Sequence, residues 1–568
     1  MPLPGSLCPT STSGGRARRG ATARRGFPLT ASPGERGKRA LPLLVALVSL
    51  ALSLLLAGAC PLVDPDEGRN AEVAREMAAG GDLLVPHLAG MPYLDKPPGL
   101  FWAAALPIRV LGNTPLAARV PSAIASALTL WLVARLALRR RGAGFALAAC
   151  ALLFTAPLFA VLSAYVIFDM PLALCVTAVW VGLAEELESR ASARRRLLMF
   201  AAVTAGLFLK GPVVLAWVLG GSLGAALLLR SRAPLRWLAW WPGWVMVLVL
   251  AGGWFALAAR RYPEYPHYAF LEESLERLTT GAFKRQQPAW FVPAVLVAGA
   301  LPWSLATPWT AKLSRTAKAG LGFVLFAAVF FTLSRSKLVT YLLPALPPLA
   351  WAAAEAWSDA TRARRGAWAL MIVFALLAAA AAAAGWGPLL ARMHPRPDAT
   401  TLASARLLAQ GFAALALFSL SVALSGRPRV AILNAALFTP VLLAGSLLAL
   451  WDHAFRHSGA PLAVAIATFG GGPVRYESCY SPGTDYLRGR ISTIVSARGR
   501  ETTSNYQVRY RESLIARGEW TPLAAAPPGD GTDVVVRPSR DESAPPAGYV
   551  EFFRDERFVA FRRLRAGP

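Results

Sequence analysis

The sequence predicts a polytopic α-helical membrane protein with about thirteen transmembrane helices, followed by a small C-terminal α/β soluble domain. Three observations lead to this prediction. Only 16% of the 568 residues are charged and 55% are hydrophobic, whereas a soluble chain carries about 25% charged residues. The apolar residues form runs that are long enough to cross a bilayer. The 59 Lys and Arg residues outnumber the 32 Asp and Glu residues, and they cluster in short loops between the apolar runs, as cytoplasmic loops do.

This distribution of charge excludes several classes of protein. A soluble multidomain enzyme would not be so poor in charged residues. The formal net charge of +27 does not indicate a nucleic-acid partner, because a nucleic-acid-binding protein gathers its basic residues on one face. We therefore expect membrane lipids as partners and no nucleic acid. The five cysteines form no CxxC pair and predict neither a disulfide framework nor a metal site.

The first element is a basic segment at residues 1–40, followed by an apolar run at 41–60. The segment is rich in Arg, Gly, Ser and Pro and cannot bury a core, so we expect it to be disordered. The apolar run is long enough to span the inner (plasma) membrane. By the positive-inside rule, the N-terminus is expected in the cytoplasm and the chain emerges on the outer side near Pro61.

The remaining spans complete a transmembrane domain at 41–451 with two long outer loops, 63–98 and 260–288. Basic inner loops alternate with these outer segments throughout. The run at 99–112 is short enough to be an interfacial helix rather than a span. The further predicted spans are 116–138, 144–163, 171–187, 197–209, 213–229, 237–259, 289–309, 319–333, 338–357, 367–390, 403–424 and 430–451.

The composition changes at residue 452, where charged residues return and the apolar segments become short. Strand-like segments at 462–467, 533–536 and 550–561 are separated by Gly and Pro turns. We therefore predict a small α/β domain at 452–568. An odd number of spans places this domain on the periplasmic or extracellular side.

The first outer loop holds the densest group of polar residues. Asp66 and Glu67 stand where a helix would begin, and the positive end of the helix dipole stabilises acids there without any catalytic role. Two cations, Arg69 and Lys96, accompany them in the same loop. A carboxylate beside such cations can deprotonate an acceptor while the cations hold a phosphate leaving group. This combination favours a catalytic site.

Four more residues point to the same outer face. Asp169 stands between two spans, where it could also be a helix N-cap. Lys210 lies at an outer turn, where it could also extend along the lipid surface to reach water. Lys337 and Tyr341 lie at the outer end of another span, where the positive-inside rule disfavours basic residues. Cations and carboxylates on the outer face suit a lipid-linked phosphate sugar as substrate.

These segments together resemble a known family. Residues 64–102 are similar to the first outer loop of the dolichyl-phosphate-mannose protein mannosyltransferases and the bacterial aminoarabinose (lipid A) transferases. Segments 168–172, 209–212 and 336–344 match further motifs of that family in the same order and at similar spacing. The resemblance covers residues 64–350 by motif and the rest by architecture.

The resemblance implies a membrane glycosyltransferase of the C-type fold that uses a polyisoprenyl-phosphate sugar donor on the outer side. It implies an inverting transfer to lipid A, a protein or a glycan, and these acceptors stay open. The residues that it assigns fall into two groups. Asp66, Glu67 and Asp169 would be catalytic, and Arg69, Lys96, Lys210, Lys337 and Tyr341 would bind the donor phosphate.

The sequence departs from the family pattern at one position, and this position concerns a metal ligand. Some aminoarabinose transferases carry a histidine in the second outer loop that can hold a metal beside the acid before Lys-Pro-Pro. Here Ser274 replaces that histidine, and Asp95 and His267 are only weak candidates. We therefore expect that no cofactor is required, and the part of a divalent metal stays open.

A lipid or polysaccharide transporter is the alternative from another class. Transporters place ionisable residues or broken helices near the membrane midplane. This sequence places its ionisable residues at the ends of the apolar runs, which favours the transferase.

Overall fold

The computed structural model describes residues 33–276, 286–309, 312–386, 399–425, 427, 430–525, 531–541 and 544–564. The predicted disorder of the N-terminal segment falls mainly on residues 1–32, which lie outside the described residues. The part of this segment that is described, residues 33–40, begins the helix Pro33–Ala59.

Within the described residues, seven helices are long and apolar enough to cross a membrane. The polytopic helical architecture is therefore confirmed, and the full number of about thirteen spans stays a prediction. The seven are Ala40–Ala59, Pro115–Arg141, Trp241–Arg261, Arg315–Leu333, Ala360–Trp386, Ala399–Leu424 and Ala431–Arg456.

Prolines divide three of the predicted spans. The run at 144–163 forms two helices, Ala143–Phe154 and Pro157–Leu162. The run at 289–309 likewise forms Phe291–Gly299 and Trp303–Ala306. Because proline cannot donate the helical hydrogen bond and disfavours helical backbone at the residue before it, a new helix starts at each break. The run at 338–357 begins as a 3-10 helix, Val339–Ala345, and continues as Leu346–Trp357.

Three further helices pack with these into the core of the bundle. Asp169–Glu186, Ala193–Lys210 and Val213–Leu229 have 17 or 18 residues each. Large aromatic side chains such as Trp180 and Trp217 are almost completely buried where these helices pack against Leu346–Trp357 and Arg315–Leu333. This packing holds the helix ends that carry Asp169 and Lys210 in fixed positions.

Short elements cover one end of the bundle. The first outer loop forms the helix Asp66–Ala78 and a hairpin of two strands, β1 (His87–Leu88) and β2 (Met91–Pro92). The helix Gly99–Leu111 follows; its 13 residues rise about 20 Å and are too short to span a bilayer. The second outer loop forms Tyr265–His267 and a π-helical segment, Tyr268–Glu276.

The C-terminal domain contains five strands: β3 (Val474–Glu477), β4 (Thr493–Val495), β5 (Val534–Pro538), β6 (Tyr549–Arg554) and β7 (Phe558–Arg563). They form a mixed sheet with the order β4-β3-β5-β7-β6. Strand β3 is parallel to β4 and β5, whereas β7 is antiparallel to β5 and β6. The predicted run at 550–561 is the β6–β7 hairpin.

The predicted strand at 462–467 is wrong, because the structure has the helix Ala460–Thr468 there. Pro461 occupies the first turn of this helix, a position that tolerates proline. Alanine-rich composition favours the helical state. Helices Pro482–Arg488, Asn505–Arg509 and Arg511–Ala516 complete the domain.

The C-terminal domain shares one hydrophobic core with the first outer loop. Ala71, Val73 and Tyr93 of the loop belong to the same buried cluster as Ile466 and Tyr476 of the domain. The two parts therefore bury each other's apolar side chains, and the domain holds the outer loop in place.

Candidate active site

The helix Asp66–Ala78 carries most of the polar residues of the first outer loop, and most of them are buried. Asp66 and Glu67 lie in its first turn, where acids suit the helix dipole. Further along, Glu72 pairs with Arg75 at 2.6 Å, and both are almost completely buried. Glu76 accepts hydrogen bonds from the backbone N–H groups of the β1–β2 turn. Much of this charge therefore holds the loop together.

Glu67 is part of that internal framework. Its side chain is completely buried and pairs with Arg119 at 2.6 Å. Its carboxylate also accepts hydrogen bonds from the backbone N–H groups of Val63 and Val166, at 3.1 and 2.9 Å. Arg119 uses its remaining donors on the carbonyl groups of residues 57, 60 and 61. The structure thus does not bring Glu67, which the sequence predicts to be catalytic, to solvent or to the cavity described below.

Asp66, the preceding residue in the chain, has the opposite environment. Its side chain is 63% exposed and pairs with Arg69 at 2.6 Å. Arg69 is mostly buried and donates a second hydrogen bond to Oγ1 of Thr503 in the C-terminal domain, at 2.6 Å. Asp66 therefore has one charged partner and an open face toward solvent, as a proton acceptor requires.

A cavity of about 750 Å³ lies beside this loop, a size that suits a small-molecule or lipid ligand. One part of its wall is apolar and is formed by Leu207, Phe208, Val213, Leu215, Trp217, Trp244, Leu248, Trp254, Phe255, Phe270, Phe330 and Phe331. Its polar residues are Asp95, Lys96, Asp169, Lys210, Glu273, Ser274, Ser334, Ser336 and Tyr341. Such a cavity can hold a hydrocarbon chain and a charged head group together.

Lys210 and Asp169 meet in the wall of the cavity. Asp169 begins one helix and Lys210 ends another, so each charge lies at the helix end that favours it. The Lys210 Nζ donates to the Asp169 carboxylate at 2.5 Å and lies 4.6 Å from the centre of the Tyr341 ring. The structure therefore brings together three predicted site residues that are far apart in sequence.

Lys96 supplies a second cation to the same cavity. It donates to the backbone carbonyl of Asp95 at 2.7 Å and pairs with Glu273 of the second outer loop. Glu273 also lines the cavity. The sequence prediction did not include Glu273, although it is one of several acids in the segment 272–276.

Tyr93 is influenced electrostatically by both groups of residues. Its side chain is buried, and burial raises its pKa. Arg69 lowers this pKa, whereas Asp95, Glu273 and Asp66 raise it further. The Asp66–Arg69 pair and the polar residues of the cavity therefore act electrostatically on one phenol.

Asp66 and Arg69 do not line the cavity. The predicted phosphate ligand Lys337 does not line it either. It is almost completely buried, and its Nζ donates to the backbone carbonyl of Gln287 at 2.9 Å. Its neighbours Ser334 and Ser336 and the nearby Tyr341 do line the cavity. In this structure Lys337 holds the second outer loop against the span.

Asp95 connects three parts of the chain. Its carboxylate accepts hydrogen bonds from the hydroxyl groups of Tyr268 and Ser504. It also accepts from the backbone N–H groups of Asn505 and Tyr506, each at 3.1 Å. The first outer loop, the second outer loop and the C-terminal domain therefore meet at this carboxylate.

The residues around Asp95 do not fit a metal ion. Both carboxylate oxygens of Asp95 are engaged by protein donors, and the Ser274 hydroxyl donates to the carbonyl of Ala269 at 2.7 Å. The side chain of His267 is 61% exposed, and its Nδ1 lies 3.2 Å from Oε1 of Glu272. Over the described ranges, no group of three or more His, Cys, Asp or Glu side chains is arranged to hold a metal.

Comparison with known proteins supports a transferase. Residues 95–254 match the family model of the dolichyl-phosphate-mannose-protein mannosyltransferases. The chain is 31% identical over 434 residues to the undecaprenyl phosphate-alpha-4-amino-4-deoxy-L-arabinose arabinosyl transferase of Pectobacterium carotovorum. The aligned region covers 73% of this chain and 77% of that protein. It is 33% identical over 360 residues to a protein of that function in Pseudomonas fluorescens, with 60% of each covered.

The fold agrees with these relatives. The crystal structure of ArnT from Cupriavidus metallidurans bound to undecaprenyl phosphate superimposes with a TM-score of 0.78 at 25% identity. The match covers 93% of this chain and 99% of that chain. The relatives are transferases, which disfavours the transporter alternative. The chain therefore belongs to the dolichyl-phosphate-mannose-protein mannosyltransferase and aminoarabinose transferase family, and it is a multi-pass inner-membrane glycosyltransferase with the C-type glycosyltransferase fold.

Proposed function

We propose that this enzyme transfers 4-amino-4-deoxy-arabinose from undecaprenyl phosphate to lipid A. The observation that carries the proposal is the cavity of about 750 Å³, which joins an apolar wall to Lys96, Lys210 and Tyr341. An undecaprenyl chain suits the apolar wall, and its phosphate suits the two cations. The relatives' names supply the sugar and the lipid carrier.

The donor phosphate would share each cation with a carboxylate. Lys210 pairs with Asp169, and Lys96 pairs with Glu273. A lysine ammonium has three N–H donors, so it can bind a phosphate oxygen while it keeps its carboxylate partner. In this proposal Asp169 and Glu273 position the lysines, and no metal is needed to stabilise the leaving phosphate.

The proposed reaction is a direct displacement at the anomeric carbon. An oxygen of the acceptor attacks this carbon, and the bond between the carbon and the donor phosphate oxygen breaks, so the configuration inverts. Undecaprenyl phosphate leaves with the bonding electron pair, and Lys96 and Lys210 stabilise its added charge. Asp66 takes the proton from the acceptor oxygen, and Arg69 holds Asp66 in place through the 2.6 Å ion pair.

We propose that the N-terminus is cytoplasmic and that the cavity and the C-terminal domain face the periplasm. The helix Asp169–Glu186 begins at the cavity and ends about 27 Å away. At that far end Glu185 contacts Arg135, Arg139 and Arg195. A concentration of arginines is typical of the cytoplasmic side. Reporter fusions after residue 141 and after residue 568 test this orientation.

The function is tested with purified enzyme, undecaprenyl-phosphate aminoarabinose and lipid A in detergent. Mass spectrometry should find lipid A that has gained one aminoarabinose and an equal amount of free undecaprenyl phosphate. Parallel reactions offer a polyisoprenyl-phosphate mannose donor, or a peptide and a glycan as acceptors. Transfer only in one of these parallel reactions would overturn the proposed substrates while keeping the enzyme class.

A further inference from the structure

A second depression, of about 570 Å³, lies on the C-terminal domain and is not part of the proposed catalytic cavity. Four arginines line it: Arg498, Arg500, Arg509 and Arg511. Glu512 is the acid among its lining residues. None of the residues that line this arginine depression lines the larger cavity.

Two of the four arginines, Arg498 and Arg500, have charge available for a ligand. Arg509 already pairs with Glu272 at 2.5 Å and with Glu276 at 3.1 Å. Among the described residues, the exposed guanidinium groups of Arg498 and Arg500 have no ion-pair partner. The Nε of Arg511 is buried and has no hydrogen-bond partner in the described part of the chain. Guanidinium groups present several N–H donors in a plane that matches two oxygens of a phosphate.

The loop that carries Arg498 and Arg500 is held in a defined conformation. The hydroxyl of Ser496 accepts hydrogen bonds from the backbone N–H groups of Arg498 and Gly499, at 3.2 and 2.8 Å. Gly499 has φ of 67°, a left-handed conformation that glycine adopts without strain. The two arginines are therefore presented by an ordered turn.

The same loop leads directly to Asp66. Thr503, which ends the loop, accepts a hydrogen bond from Arg69 at 2.6 Å, and Arg69 pairs with Asp66. Three peptide units separate Arg500 from Thr503, so their Cα atoms are at most about 11 Å apart. The loop of the arginine depression therefore contacts, through Thr503, the arginine that pairs with the proposed base.

We propose that the arginine depression binds a phosphate group of the acceptor glycolipid and so places its reacting oxygen at Asp66. This inference rests on the proposed function, in which the acceptor is lipid A, a phosphorylated glycolipid. In the proposed function, Lys96 and Lys210 already bind the single phosphate of the donor. A phospholipid head group carries the same phosphate chemistry, and the experiment distinguishes these two sources.

The kinetic arm compares the wild-type enzyme with the double variant Arg498→Ala/Arg500→Ala. We expect the KM for lipid A to rise about ten- to hundredfold, because charge-assisted hydrogen bonds are lost. The kcat and the KM for the donor should stay unchanged. Arg490→Ala is the matched control, since Arg490 is an exposed arginine of the same domain outside the depression. An unchanged KM for lipid A in the double variant would overturn the proposal.

The binding arm does not require turnover. Full-length enzyme in nanodiscs is titrated with lipid A and with the same lipid A after enzymatic removal of its phosphates. The wild-type protein should bind the phosphorylated form more tightly, and the double variant should lose this preference. Equal displacement of lipid A by phosphatidylglycerol at matched charge would assign the depression to membrane lipids and overturn the proposal. If wild-type enzyme transfers no sugar to lipid A, the proposed function fails. The binding arm still measures, independently of turnover, whether the arginine depression binds phosphorylated lipid A.

Discussion

Asp66 and Glu67 are adjacent acids in one helix turn, and each pairs with an arginine at 2.6 Å. Their surroundings differ completely. Glu67 and Arg119 are 0% and 3% exposed, and further hydrogen bonds saturate both. The Asp66 side chain is 63% exposed, and its partner Arg69 reaches across to Thr503. One pair belongs to the interior of the fold and the other lies at the surface of the site.

The difference distinguishes a charged residue that stabilises the fold of this loop from one that can take part in catalysis. A buried pair cannot lose one partner without leaving an uncompensated charge in a low-dielectric environment. A pair with one exposed partner, such as Asp66 with the mostly buried Arg69, contributes less to stability, because water screens it, and its carboxylate stays accessible to a substrate. The two acids should therefore respond oppositely to the same substitution.

Asp66→Asn gives the largest expected effect, and the effect is on the reaction. Removing a general base typically lowers the rate about 10²- to 10⁴-fold. The free energy of unfolding should change by about 1 kcal/mol, because Asp66 is exposed and water screens its pairing with the mostly buried Arg69. Sugar transfer is measured by mass spectrometry and unfolding by tryptophan fluorescence in detergent. Glu556→Gln, at an exposed acid of the β6–β7 turn, is the matched control.

A folded Asp66→Asn enzyme with the wild-type rate would show that Asp66 is not the base. A variant that loses activity only because it unfolds would be equally informative, since it would place Asp66 with Glu67 in the framework of the fold.

Glu67→Gln gives the next effect, and it should be on stability. Breaking a buried ion pair by removing one partner costs about 3–5 kcal/mol. We expect the thermal midpoint in detergent to fall sharply, with activity per folded molecule largely retained at low temperature. Glu67→Gln combined with Arg119→Met removes both charges and should recover part of the loss. Normal stability with abolished transfer in Glu67→Gln would instead support the catalytic role that the sequence predicts.

The sequence predicts the helical architecture well, because apolar runs and basic loops follow directly from bilayer physics. The breaks before Pro157 and Pro302 were not predicted, although proline is a recognised cause of such breaks. The strand expected at 462–467 is a helix because local alanine content outweighs the short apolar pattern. Apolar runs alone do not distinguish a buried helix from a strand.

The site was only partly predictable for a different reason. Asp66, Arg69, Lys96 and Lys210 stand out as charged residues at the membrane surface. Glu273, the partner of Lys96, does not, since this pairing depends on a tertiary contact between distant residues. Ser504 reaches Asp95 across 409 positions in sequence. The same holds for Thr503, whose neutral side chain gives no indication in the sequence that it contacts Arg69.

A third prediction concerns pH and two buried carboxyl groups, Glu76 of the first outer loop and Asp485 of the C-terminal domain. Burial, followed by repulsion from Glu72, raises the pKa of Glu76 to about 8 and that of Asp485 to about 7. Since both values lie above those of the unfolded chain, the folded state binds more protons between about pH 5 and pH 8. The free energy of unfolding should therefore fall as the pH rises through this range, by up to about 1.4 kcal/mol per pH unit for each group.

The measurement that checks this prediction is the slope of the free energy of unfolding against pH in detergent. Glu76→Gln and Asp485→Asn should each make the slope shallower, because each removes one titrating group. The exposed-acid variant Glu556→Gln should keep the wild-type slope. A slope that neither substitution changes would mean that these carboxyl groups are not the cause.

The smallest expected effect comes from Ser504→Ala, at the junction between framework and site. The Ser504 hydroxyl donates to Asp95 and also accepts from the backbone N–H of Gln507 at 3.2 Å, as an N-cap. Its loss should cost about 1 kcal/mol, and Ser504→Thr should restore most of this because the hydroxyl remains. Hydrogen exchange should increase in residues 503–510. Since Asp95 precedes Lys96, the KM for the donor should rise several-fold while kcat stays near wild type; a fall in kcat alone would instead make Asp95 part of the chemistry.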